Sequence, residues 1–175
     1  MPDQKPGKSF QGYETPKVFL DAVKARWRLK GFDWDLAATR KANKALRSDN
    51  YFGPDHGVGV YRDALARGWA LRGNLWLNPP FAKIEPWAKK CHEWAPPPGV
   101  EPLVRKIFFL VPAAVGSNWW ANWVHQKARV IFLNGRIPFM PDKPKWGYPK
   151  DCALCVYSET PGYEIWPWRQ KKAVP

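Results

Sequence analysis

Asn74-Leu75-Trp76-Leu77-Asn78-Pro79-Pro80-Phe81 is the stretch that decides how this chain is read. Leu75, Trp76 and Leu77 have strand character. The two prolines that follow have no N–H to give a sheet ladder, so the strand must stop there. Asn78 is then held at a strand's carboxyl end with the Phe81 ring just beyond. Open α/β sheets bind their ligands at such ends. By themselves the residues are equally compatible with a strand closing in a proline turn, with Phe81 in the core.

Working outward, the neighbouring segments supply an α/β order. Val18, Phe19, Ala22, Val23 and Trp27 recur at helical spacing. Thr15 is a suitable N-cap and Pro16 a suitable first residue, so a helix is expected over 16–29, with Gly31 able to end it. Phe32 to Ala38 reads as a short strand leading into a loop, with Asp35 near its carboxyl end. A carboxylate there can accept hydrogen bonds from an amino or hydroxyl group of a ligand. The small residues Ala37 and Ala38 let a ligand approach the backbone. Residues 39–62 are polar and turn-rich, and a helical segment is expected over 61–68.

After Phe81, the spacing of Ile84, Trp87, Ala88, Cys91 and Trp94 predicts another helix, closed by Pro96-Pro97-Pro98-Gly99. Residues 106–111 are a continuous apolar run, the pattern of a strand buried on both faces of a parallel sheet. Ser117 is positioned to cap a helix through Gln126, with Trp119, Trp120 and Trp123 mostly inward. Residues 129–133 read as a buried strand. Asn134-Gly135 is a hairpin turn signal that would bring residues 136–139 back beside it. Residues 152–157 read as the last strand. The expected organisation is an arm over 1–12, one α/β domain over 13–160 and a basic, aromatic tail over 161–175.

The bulk properties narrow the class. A chain of 175 residues with 45% hydrophobic residues can bury the core of one domain. No apolar run is long enough to span a membrane, and the first residues lack the apolar stretch of a secretory signal. Three cysteines fit a reducing compartment rather than a disulfide scaffold, so a cytoplasmic setting is expected. Twenty-eight Lys and Arg against fifteen Asp and Glu give +13, a field that attracts polyanions, with nucleic acid the natural partner. Neither a membrane nor an obligate protein partner is indicated. Cys152 and Cys155 have the look of a metal or redox pair. Three residues apart on a strand they point to opposite faces, so no metal site is expected. His56 and His125 have no evident partner and are expected at the surface.

Asn-Pro-Pro-Phe after a hydrophobic strand resembles the catalytic tetrapeptide of the amino methyltransferases. The flanking landmarks extend the likeness. In order they are Tyr-Glu-Thr-Pro at 13–16, Phe-Asp-Trp-Asp-Leu-Ala-Ala at 32–38, Phe-Phe-Leu-Val-Pro-Ala at 108–113 and Gly-Arg-Ile-Pro-Phe at 135–139. Together they resemble the compact phage-type DNA N6-adenine methyltransferases, called Dam-like, over roughly residues 13–157.

The resemblance implies a Rossmann-like S-adenosylmethionine-dependent fold, a mixed sheet with a C-terminal antiparallel hairpin, and DNA as substrate. Asn78, Pro79, Pro80 and Phe81 would be the catalytic residues. The Asn78 oxygen and the Pro79 carbonyl would accept the two N–H bonds of an exocyclic amine and free its lone pair, and Phe81 would stack on the base. The implied cofactor-binding residues are Tyr13, Thr15 and Pro16, with the latter two lining the methionine end, and Asp35 and Ala37. The stretch after Asp35 has no glycine-rich turn, a departure from many enzymes that use this cofactor. Cytosine N4 is the alternative target, because the same acceptors serve any exocyclic amine. A nucleic-acid-binding module without chemistry is the alternative class. Basic residues in 39–57 and 140–151 are expected to grip phosphates.

Overall fold

The frame is a six-stranded sheet in the order β1-β2-β3-β5-β4-β6. A computed structural model of the chain describes residues 14–96, 104–139 and 149–169. The strands are β1 (Trp34–Asp35), β2 (Gly73–Leu77), β3 (Val104–Pro112), β4 (Arg129–Leu133), β5 (Cys152–Tyr157) and β6 (Gly162–Trp166). All run the same way except β5, which is antiparallel to both β3 and β4. Three helices, α1 (Lys17–Trp27), α2 (Glu85–Trp94) and α3 (Asn118–Trp123), cover the two faces. Among the described residues, no helix is long and apolar enough to cross a membrane.

The continuous apolar runs of β2 and β3 follow from this covering. Successive strand residues point to opposite faces, and both faces here are dry. Leu75, Leu77, Ile107, Phe109 and Val111 pack with Ala88 and Cys91 of α2 and Trp120 of α3. Trp76, Phe108 and Leu110 face the other way, onto Phe19, Leu20 and Val23 of α1. Cys152 and Cys155 divide between the same two clusters, so they do point to opposite faces.

Helix α1 starts one residue later than its capping signal suggests. Pro16 is the extended N-cap residue, and its carbonyl accepts from Phe19 N at 3.0 Å and Leu20 N at 3.2 Å. Arg28, in the left-handed region at φ 53°, ends the helix three residues before Gly31. Its N–H bonds back to Ala25, and Leu29 N bonds to Lys24 O at 2.9 Å, which satisfies carbonyls of the last turn. Helix α3 likewise stops at Trp123, short of Gln126, and of its tryptophans only Trp120 is buried while Trp119 and Trp123 are half-buried.

Three expectations are corrected. The helix expected over 61–68 does not form; a single 3-10 turn, Gly59–Tyr61, ends at its first residue, and residues 62–68 are not helical. Carbonyls that a helix would use accept side chains instead: Ala64 O takes Trp69 Nε1 at 2.9 Å and Leu65 O takes Lys90 Nζ at 2.8 Å. Residues 136–139 do not return beside β4 as a hairpin. The antiparallel neighbour of β4 is β5, reached through residues 134–151. Pro138 lacks a ladder donor, while Ile137 and Phe139 are drawn into the core on the α1 side. Finally, β5 is not the last strand. Gly162–Trp166 pairs in parallel with β4, and Trp166 packs on Phe19 and Trp27. The arm over 1–12, the loop through 97–99, residues 140–148 and the end of the tail lie outside the described residues.

Gly73 starts β2 at φ 91°, where a Cβ would meet Asp33 Oδ2 at 2.1 Å. That carboxylate accepts Asn74 N at 2.7 Å and sets the entry into β2. Gly73→Ala should therefore lower stability by about 2 kcal/mol or more, read by urea unfolding. Gly116→Ala, where a Cβ meets nothing within 4 Å, should change it by no more than ~0.5 kcal/mol.

Candidate active site

The site is built where β1 and β2 end side by side. Asp35 pairs with Trp76 in parallel register, and Leu36 N donates to Trp76 O at 2.9 Å. Asn78 lies two residues beyond Trp76, just past the end of β2. A cavity of about 410 Å3 opens over these two strand ends, with Asp35 and Asn78 both in its wall. Thr15 and Glu14 enter it from the start of α1, and Trp87 from α2.

A loop closes the opposite wall. Residues 50–52 run along the free side of β1: Asp35 N donates to Asn50 O at 3.0 Å, Phe52 N to Asp35 O at 2.8 Å and Ala38 N to Phe52 O at 2.8 Å. The approach is so close at Gly53 that a Cβ there would lie 1.7 Å from Ala38 O. Arg62, Asp63 and Ala64 complete that wall.

His56 holds this loop together, contrary to its expected surface position. It is only 5% exposed. Its Nδ1 lies 3.0 Å from Val58 N and its Nε2 3.1 Å from Asp49 O, so the ring ties two turns of the loop together. Tyr51 and Tyr61 pack on it at 4.6 and 5.0 Å between ring centroids. His125 is exposed, and its Nδ1 meets the Tyr163 hydroxyl.

The polar groups of the cavity are of two kinds. Asp35 is 3% exposed, and burial pushes its carboxyl up to about 7. Lys44 N at 2.9 Å and Ala37 N at 3.3 Å donate to it and offset part of that rise. Lys44 Nζ reaches Glu14 at 3.3 Å on the rim. Thr15 is equally buried, and its hydroxyl oxygen has no hydrogen-bond partner among the described residues. A buried hydroxyl left this way costs ~1–3 kcal/mol unless a ligand satisfies it. The Asn78 side-chain oxygen is shielded from solvent.

The residues singled out from the sequence separate into those the cavity gathers and those it does not. Thr15, Asp35, Ala37, Asn78 and Pro80 line it. Pro16 is the N-cap of α1 and Pro79 is buried, and neither is among the residues that line the cavity. Phe81 lies outside the wall, edge-on to Phe139 with centroids 6.2 Å apart. Tyr13 is outside the described residues. Phe52, Gly53, Arg62 and Asp63 are lining residues that sequence reasoning missed, the first two read as part of a turn and the last two as part of the helix expected over 61–68. Their only local signal is the Tyr-Phe-Gly turn, because a parallel bridge to β1 brings them in. Among the described residues, no group of three or more His, Cys, Asp or Glu is placed to hold a metal ion.

A family model described as DNA N-6-adenine-methyltransferase (Dam) matches residues 5–157. No curated protein matches the chain. The match spans most of the 175 residues and includes every strand except β6. The family description implies DNA as substrate and adenine methylation as the activity. With its mixed α/β sheet and a cavity at the strand ends, the chain belongs to the DNA N-6-adenine-methyltransferase (Dam) family.

Proposed function

We propose that this protein transfers a methyl group from S-adenosylmethionine to the N6 amine of adenine in DNA. The target base would be flipped out of the duplex to reach Asn78-Pro79-Pro80-Phe81, as chemistry on a base requires. The sheet is read here as a Rossmann-like methyltransferase sheet. The observation that carries the proposal is the placement of Asn78 at the end of β2, in the wall of a cavity it shares with Asp35 and Thr15.

The residues present fit the cofactor. A volume of about 410 Å3 lies within the ~300–1,000 Å3 of small-molecule sites. Thr15 offers a buried hydroxyl without a partner among the described residues, and Asp35 a carboxyl able to accept from an amino or hydroxyl group. Glu14, Lys44 and Arg62 put charges of both signs on the lining, which suits a ligand carrying both an ammonium and a carboxylate. When bound, S-adenosylmethionine supplies an electrophilic methyl on a sulfonium, so the donor needs no activation by the protein.

The chain's own task is then to prepare the amine and align it. The adenine N6 lone pair is delocalised into the ring. The Asn78 oxygen accepting one N–H and the Pro79 carbonyl accepting the other pull that nitrogen toward sp3 geometry. Proline restricts the backbone, so the second acceptor is held without an entropic cost at each turnover. Phe81 stacks on the base after reorienting from Phe139, or with the base entering between them. Asp35 and Thr15 hold the donor on the β1 side.

Three outcomes test this reading. Mass spectrometry of nucleosides from DNA incubated with protein and S-adenosylmethionine should show N6-methyladenine; N4-methylcytosine in its place would overturn the target assignment. Asn78→Ala should reduce methyl transfer by at least ~100-fold, comparable to losing one transition-state hydrogen-bonding group. The same variant should keep the wild-type thermal shift with S-adenosylmethionine, on the order of 2.7 kcal/mol at 100 times Kd.

The third outcome is a pH dependence set by Asp35. Its carboxyl rises from 3.8 to about 7 on folding, so the folded state prefers the protonated form. Its contribution to stability is full below the unfolded value and is lost as pH rises through about 7. A ligand donating hydrogen bonds to the carboxylate favours the ionised form, so its affinity should rise with pH up to about 7 and then level. Isothermal titration from pH 5 to 8 reads this. Asp35→Asn should bind more weakly and flatten the dependence, and a steep dependence persisting in that variant would exclude Asp35 as its source.

A further inference from the structure

A second hollow, of about 520 Å3, opens on the same edge of the sheet as the candidate active site. It sits over the carboxyl ends of β3, β4 and β6 and the start of β5. Two of its lining residues carry recognition chemistry: Asn134, directly after β4, and Asp151, directly before β5. Both are exposed, and neither side chain forms a hydrogen bond or ion pair with another described residue. Gly135 and Ile165 form part of its wall, as does Val115. Val115 and Ile165 are 60% and 71% exposed, a high value for aliphatic side chains beside a cavity.

The rim is positive. Arg136 follows Gly135 and Lys150 precedes Asp151; both are exposed and make no ion pair among the described residues. Arg169 is tied to the same rim, since its guanidinium donates to Arg136 O and lies over the Trp168 ring. Cations left without acidic partners, on a chain of net charge +13, fit a polyanion rather than a neutral protein surface.

We propose that this hollow reads a base pair of the DNA duplex beside the flipped adenine. Asn134 and Asp151 would contact base edges while Arg136, Lys150 and Arg169 hold phosphates. A carboxamide can bond an adenine edge twice, a carboxylate can accept from a cytosine amine, and exposed aliphatic groups can meet a thymine methyl. Phosphate contacts fix register, and base contacts carry the sequence. The position follows from the sheet order. From β2, which delivers Asn78, to β4, which delivers Asn134, there are three strand steps through β3 and β5. At ~4.8 Å per step that is ~14 Å, or about four base steps of ~3.4 Å along the duplex. The inference depends on the proposed reaction only for where the flipped base lies.

Two measurements test it on the full chain. The first is fluorescence anisotropy with a random-sequence duplex across a salt series, without cofactor. Arg136→Ala and Lys150→Ala should each weaken binding and lower the slope of log affinity against log salt by about one. Lys24→Ala, in the last turn of α1 and paired with Asp21, should change neither. Unchanged affinity and slope in the Arg136 and Lys150 variants would overturn the proposal.

The second is sequencing of the sites methylated in genomic DNA. Asn134→Ala and Asp151→Asn should relax the preference at one position about four base pairs from the methylated adenine, by ~5- to 100-fold, with the other positions retained. An unaltered preference in both variants would overturn the assignment of base contacts. A wild-type chain that passed the anisotropy test yet transferred no methyl would count against the proposed reaction and still support this surface.

Discussion

The parallel pairing of β1 with β2 is the constraint on which the site depends. Two strands that run the same way and share a register must end together, and here that brings Asp35 and Asn78 to one cavity. Neither residue is close to the other in the chain. An antiparallel arrangement of the same segments would send the two side chains to opposite edges of the sheet. The proline pair after Asn78 matters for the same reason: it stops β2 where β1 stops, and leaves the carboxamide at the mouth instead of inside another ladder rung.

Around that pair the chain accepts local costs. Asp35 is buried with two backbone N–H groups as its partners and a carboxyl near neutrality. The Thr15 oxygen is buried with no partner among the described residues, beside the Pro16 that is the N-cap of α1. Polar groups left in this condition are expensive in a merely structural role. Both sit in the wall of the same cavity, so the cost is concentrated where a polar ligand would recover it. The second wall is made by a loop whose order rests on a buried histidine between two tyrosines and on one glycine pressed against a carbonyl.

Much of the frame was legible from residue pattern. Both faces of β3 are apolar because helices cover both sides, and its run of Ile107 to Val111 carries that information locally. Helices α1 and α2 show in their spacing, and β4 and β5 in short apolar segments. The failures share a cause. Residues 61–68 have helical composition, but Trp69 and Lys90 compete for their carbonyls from elsewhere. Asn134-Gly135 has hairpin chemistry, but the place beside β4 is filled by a strand starting at Cys152. β6 is short, carries glycine and glutamate, and becomes a strand only through its parallel partner.

The sequence by itself determined the class of protein and the tip of the site. The tetrapeptide, the strand before it and the order of landmarks are local features, dictated by which residues can ladder, cap or turn. Tertiary structure alone decided what shares the cavity with Asn78. Phe52, Gly53, Arg62 and Asp63 reach it because their loop folds along the free side of β1, and Phe81 lies outside it, edge-on to Phe139. Those placements come from pairing and packing between segments far apart in the chain. Such contacts depend on which surfaces meet after folding, and no window of neighbouring residues encodes them.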